Sequence, residues 1–139
     1  MTFEDLTPIL LAIGILVAFH FIRQFMLGPT ISVADLSRHL EDKNADIALI
    51  DVRSEGEFSS QLGHIPGAVN IPVGDLAAEI KALGDQLTAE PDKLFVTICR
   101  THNRSPRAAR MLKSAGLKNV IVLKGGMMAW ASKKLPVEN

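Results

Sequence analysis

Leu94-Phe95-Val96-Thr97-Ile98-Cys99-Arg100-Thr101-His102-Asn103-Arg104-Ser105-Pro106 is the stretch that decides how this 139-residue chain is read. An apolar run suited to a buried strand stops at the chain's single cysteine, a polar loop follows, and a helical pattern begins. Ser105 suits the cap of that helix and Pro106 its first position, where a missing N–H costs nothing. Ala108, Met111, Leu112 and Ala115 then recur at i, i+3, i+4 and i+7 as one apolar face, and Gly116 supplies the stop. A strand ending on a thiol, a short loop and a helix N-terminus together place the sulfur among backbone N–H groups at a positive dipole end. Such surroundings favour the thiolate, the nucleophilic form of cysteine. A lone cysteine is more often a core residue. Arg100 and Arg104 argue against that here, because a core thiol has no use for guanidinium neighbours. Cys99 reads as a nucleophile.

Outward from this stretch lie two further apolar runs without alternation, Ile47-Ala48-Leu49-Ile50 and Val120-Ile121-Val122-Leu123. Runs of this kind suit strands of a parallel sheet buried on both faces. Ala68-Val69-Asn70-Ile71 can add another strand. Between the runs an amphipathic helix carries Leu76, Ile80, Leu83 and Leu87, and before them Ser32, with Asp35 three residues on, caps a short helix presenting Val33, Leu36 and Leu40. Strands alternating with helices predict an α/β domain with a doubly wound parallel sheet flanked by helices. Ligands of such sheets bind beyond the carboxyl ends of the strands, where Cys99 falls. Asp51 ends its strand at that same edge, and Arg53 and Glu57 follow it, a charged trio able to hold neighbouring loops by ion pairing.

From about Ile31 to Pro136 the chain resembles a single-domain rhodanese-type sulfurtransferase. The resemblance rests on Asp51-Val52-Arg53 with Glu57-Phe58, on Gly63-His64-Ile65-Pro66-Gly67-Ala68, on Cys99-Arg100, and on Lys124-Gly125-Gly126 with Trp130, four matches in order. It implies that Cys99 takes sulfane sulfur from a donor such as thiosulfate, becomes a persulfide, and passes the outer sulfur to a thiophilic acceptor. It also implies that the loop residues Arg100, Thr101, His102, Asn103 and Arg104 bind the substrate, with Asp51, Arg53, Glu57 and Ser105 in structural support. Arg104, the last loop arginine, is the one that in this family often braces the loop against an acidic partner. His102 departs from the family pattern, since many active members have glycine at that position; His and Asn are among the residues that best tolerate the backbone conformation glycine would supply. His64 reads as a turn brace, and Trp130, Met127 and Met128 as packing residues or a pocket wall. Phosphatases of similar fold place one more residue between nucleophile and arginine than the four separating Cys99 from Arg104. The shorter loop encloses a sulfur atom rather than a phosphoryl group. The remaining alternative to an enzyme is a membrane-tethered, non-catalytic rhodanese-like module that binds a partner or carries sulfur.

Fifteen basic and fifteen acidic residues balance, so nothing points to nucleic acid as a partner. One cysteine excludes an internal disulfide, a four-thiolate zinc site and a resolving thiol, so chemistry at Cys99 has to be completed by another molecule. No ligand cluster implies a metal or an organic cofactor. The expected partners are a small sulfur donor, a thiophilic acceptor that can be a protein, and a membrane.

The membrane enters through Leu6 to Ile22, 17 residues without formal charge between Glu4-Asp5 and Arg23. That is the short end of the ~17–25 residues that span a bilayer, and it lengthens through Phe25-Met26-Leu27 if Arg23 snorkels to the interface. An acidic leading segment and the lack of a small-x-small cleavage site argue against a signal peptide. Gly28-Pro29 breaks the helix and marks the domain boundary. The expectation is an anchor over residues 1–27 and a rhodanese-like domain over 28–139. Arg23 after the span sets a single-pass topology in the cell inner membrane, with the catalytic domain in the cytoplasm.

Overall fold

The computed structural model describes residues 3–139; Met1 and Thr2 of the expected anchor lie outside the described residues. Five parallel strands form one sheet: β1 (Thr30–Ile31), β2 (Ile47–Asp51), β3 (Val69–Asn70), β4 (Leu94–Ile98) and β5 (Val120–Leu123), in the order β1-β5-β4-β2-β3. The three apolar runs are the three central strands, and β4, which ends next to Cys99, lies in the middle of the sheet. Register pairs Asp51 with Ile98, so the carboxylate at the end of β2 stands beside the start of the cysteine loop.

Among the described residues, six helices accompany the sheet: α1 (Phe3–Leu27), α2 (Val33–Glu41), α3 (Glu55–Phe58), α4 (Leu76–Leu83), α5 (Ser105–Ser114) and α6 (Gly126–Ser132). Alternate strand residues supply two separate cores. One collects Leu49, Val96, Ile98 and Leu123 with Leu36 of α2 and Met127 and Trp130 of α6. The other collects Ile50, Val120 and Val122 with Leu76 of α4 and Ala108, Ala109 and Leu112 of α5. Both faces of the sheet are covered, which is why its central strands read as unbroken apolar runs.

Several local expectations needed correction. The helix read through Leu87 ends at Leu83, because Gly84 takes φ +50; a 3-10 turn over Gly84–Thr88 continues the chain. Ser105 is not the cap of α5 but its first residue, with Arg104 in the cap position and making no side-chain cap bond; the Ser105 carbonyl instead accepts Thr97 Oγ1 at 3.2 Å. Ser32 does cap α2, accepting the Asp35 N–H at 3.1 Å. The strand expected over Ala68–Ile71 shortens to Val69–Asn70, and β1 was missed.

Helix α1 stands apart from both cores. Its stretch Leu6–Met26 is long and apolar enough to cross a membrane, and none of it is buried within the chain. It continues as helix past Ile22 to Leu27, so Arg23 sits inside its last turns.

Candidate active site

Cys99 follows β4 directly and is buried, 1% exposed, in the core beneath α4 and α5. The loop it opens is held from two sides. Along one side the N-terminus of α6 binds its carbonyls: the Met127 N–H donates to Cys99 O at 2.8 Å and the Met128 N–H to Arg100 O at 3.0 Å. Gly126, with φ +58, makes this approach possible; a Cβ there would run into the Cys99 carbonyl oxygen and lie 2.6 Å from that of Thr101. With the Cys99 and Arg100 carbonyls engaged by α6, the loop's amides are left over. Among the described residues, no N–H from Arg100 to Ser105 donates to a protein acceptor. Such a run of unpaired amides at a helix N-terminus is a concavity for negative charge.

At its far end the loop is clamped by Arg104. Its Nη1 and Nη2 donate to Glu57 Oε2 and Oε1 at 2.6 and 2.8 Å, a bidentate pair between elements 47 residues apart. Glu57 is itself fixed by a capping box on α3: its carboxylate accepts the Ser54 N–H at 3.0 Å while Ser54 Oγ accepts the Glu57 N–H at 3.3 Å. The Arg104 hydrogen bond, helped by the bonds from Ser54, holds the Glu57 carboxyl at about 2 against an ordinary 4.5, with partial burial working the other way. The same bond raises the pKa of Arg104, with smaller contributions from the nearby Cys99 and Asp51.

Beneath Glu57 lies a buried ion pair. Arg53 and Asp51 are 1% and 0% exposed; Arg53 Nε and Nη2 donate to Asp51 Oδ1 and Oδ2 at 3.0 and 2.7 Å. The guanidinium also donates to Glu57 O at 3.2 Å and Gly63 O at 2.7 Å, so the charge is met by hydrogen bonds on every side. A pair this deep is retained only with such geometry, because desolvating two ions costs several kcal/mol each. Asn70, which the sequence reading passed over, closes the arrangement by donating from Nδ2 to Asp51 O and Arg53 O at 3.0 and 2.9 Å. His64 braces the next turn: its ring stacks on Phe58 at 3.6 Å and its Nδ1 lies 3.0 Å from Phe58 O.

The sequence-derived site residues thus fall into one neighbourhood at the carboxyl edge of β2 and β4, in distinct situations. Arg100 and Asn103 are exposed, and the Arg100 guanidinium has no hydrogen-bond partner among the described residues. Thr101 and His102 are half-buried. His102 Nε2 lies 3.3 Å from Arg23 Nη2. Ser105 Oγ is buried without a hydrogen-bond partner among the described residues. No group of three or more His, Cys, Asp or Glu among the described residues is arranged to hold a metal ion. Gly125-Gly126 ahead of a helix is visible in the sequence, but nothing local reveals that the helix abuts the cysteine loop and so requires Gly126.

Residues 32–133 match the family model of the rhodanese-like domain. The Bacillus subtilis protein YtwF, named as a proposed sulfurtransferase, is 38% identical over 106 residues, 76% of this chain and 93% of YtwF. YrkF of the same organism, named as a proposed sulfur carrier protein, is 33% identical over 105 residues, covering 76% of this chain and 52% of YrkF. The crystal structure of a rhodanese-related protein from Thermoplasma volcanium superposes with a TM-score of 0.65 at 31% identity, covering 80% of this chain and 98% of that one. By the family-model match and the relative at 38% identity, the chain belongs to the rhodanese-like family.

Proposed function

We propose that this protein is a sulfurtransferase working through a persulfide on Cys99. The observation that carries the reading is the loop: a thiol at the end of the central strand, loop carbonyls turned to α6, and free amides from Arg100 to Ser105 available to a negative charge. In the first half-reaction the thiolate attacks the sulfane sulfur of a donor such as thiosulfate. A Cys99–sulfur bond forms, the sulfur–sulfur bond of thiosulfate breaks, and sulfite leaves with its electron pair. In the second, a thiophilic acceptor, small molecule or protein, takes the outer sulfur and returns Cys99 as thiolate. The covalent intermediate divides the transfer and leads to ping-pong kinetics. Loop amides and the α5 N-terminus stabilise the anionic persulfide. Arg100, exposed and unengaged, is placed to receive the sulfonate oxygens of thiosulfate, with Thr101, His102 and Asn103 lining the approach. Arg104 holds the loop through Glu57, and Asp51, Arg53 and Ser105 support it.

Burial of Cys99 favours one other reading, a sulfur carrier or binding module that does not turn over, in line with the name of YrkF. Thiocyanate release from thiosulfate and cyanide separates the two: an enzyme gives repeated turnovers, lost in Cys99→Ser, whereas a carrier gives at most one equivalent.

We infer further that residues 1–27 anchor the protein, residues 28–139 forming the rhodanese-like domain on the cytoplasmic side of the cell inner membrane. The unburied apolar surface of α1 supports this, since Leu10, Leu16, Phe19 and Phe21 are all exposed. The full chain should stay with membranes through alkaline carbonate, and a chain starting at Pro29 should not. Recovery of a shortened soluble form outside the cytoplasm would mark the segment as a signal peptide.

A further inference from the structure

Between the last turns of α1 and the start of α5 runs a groove of about 350 Å³, directly beside the Cys99 loop. One wall is apolar: Phe19, Ile22 and Met26 are 65%, 58% and 61% exposed. The other end carries Arg23, His102 and Arg110, and no carboxylate lines the groove. Both guanidiniums are held in place by single bonds, Arg110 Nη1 to Met26 O at 2.9 Å and Arg23 Nη2 to His102 Nε2 at 3.3 Å. Each guanidinium has five N–H donors, so most of them remain free among the described residues. The groove therefore offers two fixed, under-used cations at one end and an uncovered aliphatic and aromatic surface at the other.

We propose that this groove seats an anionic phospholipid, its phosphodiester held by Arg23 and Arg110 and one acyl chain lying along Phe19 and Ile22. The inference rests on the reading of α1 as a membrane anchor. A soluble anion would satisfy the arginines and leave the apolar wall bare. A neutral lipid would cover the wall without compensating two positive charges. The wall belongs to the stretch Leu6–Met26 that is able to cross a membrane, and Arg23 lies near its end, where a long basic side chain reaches the interface. Guanidinium suits a phosphodiester because two parallel N–H groups match two oxygens. His102 belongs to both the lipid seat and the cysteine loop. A bound headgroup thus fixes the mouth of the reaction site against the bilayer surface and restricts it to acceptors that arrive there.

The test uses the full chain in nanodiscs of mixed phosphatidylcholine and phosphatidylglycerol, with the lipids it retains on release identified by native mass spectrometry. Phosphatidylglycerol should be enriched in the retained fraction. Arg110→Gln, which leaves the anchor sequence untouched, should reduce the enrichment about fivefold, and the Arg23→Gln, Arg110→Gln pair about 30-fold, from the attraction of one arginine to an anionic surface. Lys81→Gln, on α4 and away from the groove, should leave it unchanged. Excess inorganic phosphate should not displace the lipid. Equal retention of the two lipids, enrichment indifferent to Arg110→Gln, or displacement by phosphate would each overturn the proposal while leaving the anchor in place. A full chain that alkaline carbonate strips from vesicles would overturn the anchor reading and the lipid seat with it.

Discussion

Glu57→Gln isolates the clamp on the cysteine loop. The substitution keeps the shape of the side chain and one acceptor but removes the negative charge that meets Arg104, whose hydrogen bond holds the Glu57 carboxyl at about 2 against an ordinary 4.5. Taken at face value the shift corresponds to roughly 3 kcal/mol at 1.36 kcal/mol per unit. The pair is 30% and 34% exposed, so solvent screening reduces this to about 1–2 kcal/mol. The sign follows from linkage: a carboxyl with a depressed folded-state pKa stabilises the fold above its unfolded value, and loses that contribution as pH falls from about 4.5 through about 2. Urea unfolding can be followed through Trp130, the only tryptophan, which is 3% exposed and reports on the domain without interference from α1. Glu57→Gln should be less stable than wild type by about 1–2 kcal/mol at pH 7, by less than half that at pH 3, and by almost nothing near pH 2. A deficit of equal size at pH 7 and pH 3 would show that ionisation of Glu57 is not its source, and an absent deficit would remove the clamp from the account.

Three other outcomes follow from the same geometry. Arg53→Met leaves Asp51 buried without its cation and orphans the Gly63 carbonyl, so the domain should lose ~3–5 kcal/mol in the same fluorescence assay. Gly126→Ala drives a Cβ into backbone atoms of the cysteine loop, which have no cheap way to yield; sulfur-transfer rates should fall on the order of 10²-fold, and wild-type rates would show that the α6 contact does not set the loop. Arg100→Ala should weaken turnover of thiosulfate, a dianion, by ~10–150-fold while sparing a neutral persulfide donor; equal losses with both would assign Arg100 to holding the loop.

The parts of the molecule legible in the sequence are those whose cause is local. Ile47–Ile50, Leu94–Ile98 and Val120–Leu123 had to be buried on both faces to read as they do, and they are the central strands of the sheet. β1 has two residues and leaves no periodic trace; β3 was legible over Ala68–Ile71 but is ordered as strand only at Val69–Asn70, where it pairs with β2. Ser105 followed by Pro106 has the form of a cap, yet the helix starts at Ser105 with Arg104 in the cap position, its side chain bonded to Glu57, 47 residues away. The charged residues of the site were visible as a set, but not their pairing. Which acid meets which arginine depends on the strand register that sets Asp51 beside Ile98 and on the capping box that aims Glu57. The contact of Arg23 with His102 joins residues 79 apart and had no sequence signal at all.

Sulfur loading of Cys99 is the most direct measurement. Because it is the only thiol, intact-mass analysis of the full chain after exposure to thiosulfate, or to a persulfide donor, reads the intermediate without ambiguity of site. The expected result is a gain of one sulfur atom, about 32 Da, removed by cyanide and absent in Cys99→Ser. A wild-type protein that gains no mass from either donor, or a Cys99→Ser protein that gains as much, would contradict the persulfide at Cys99.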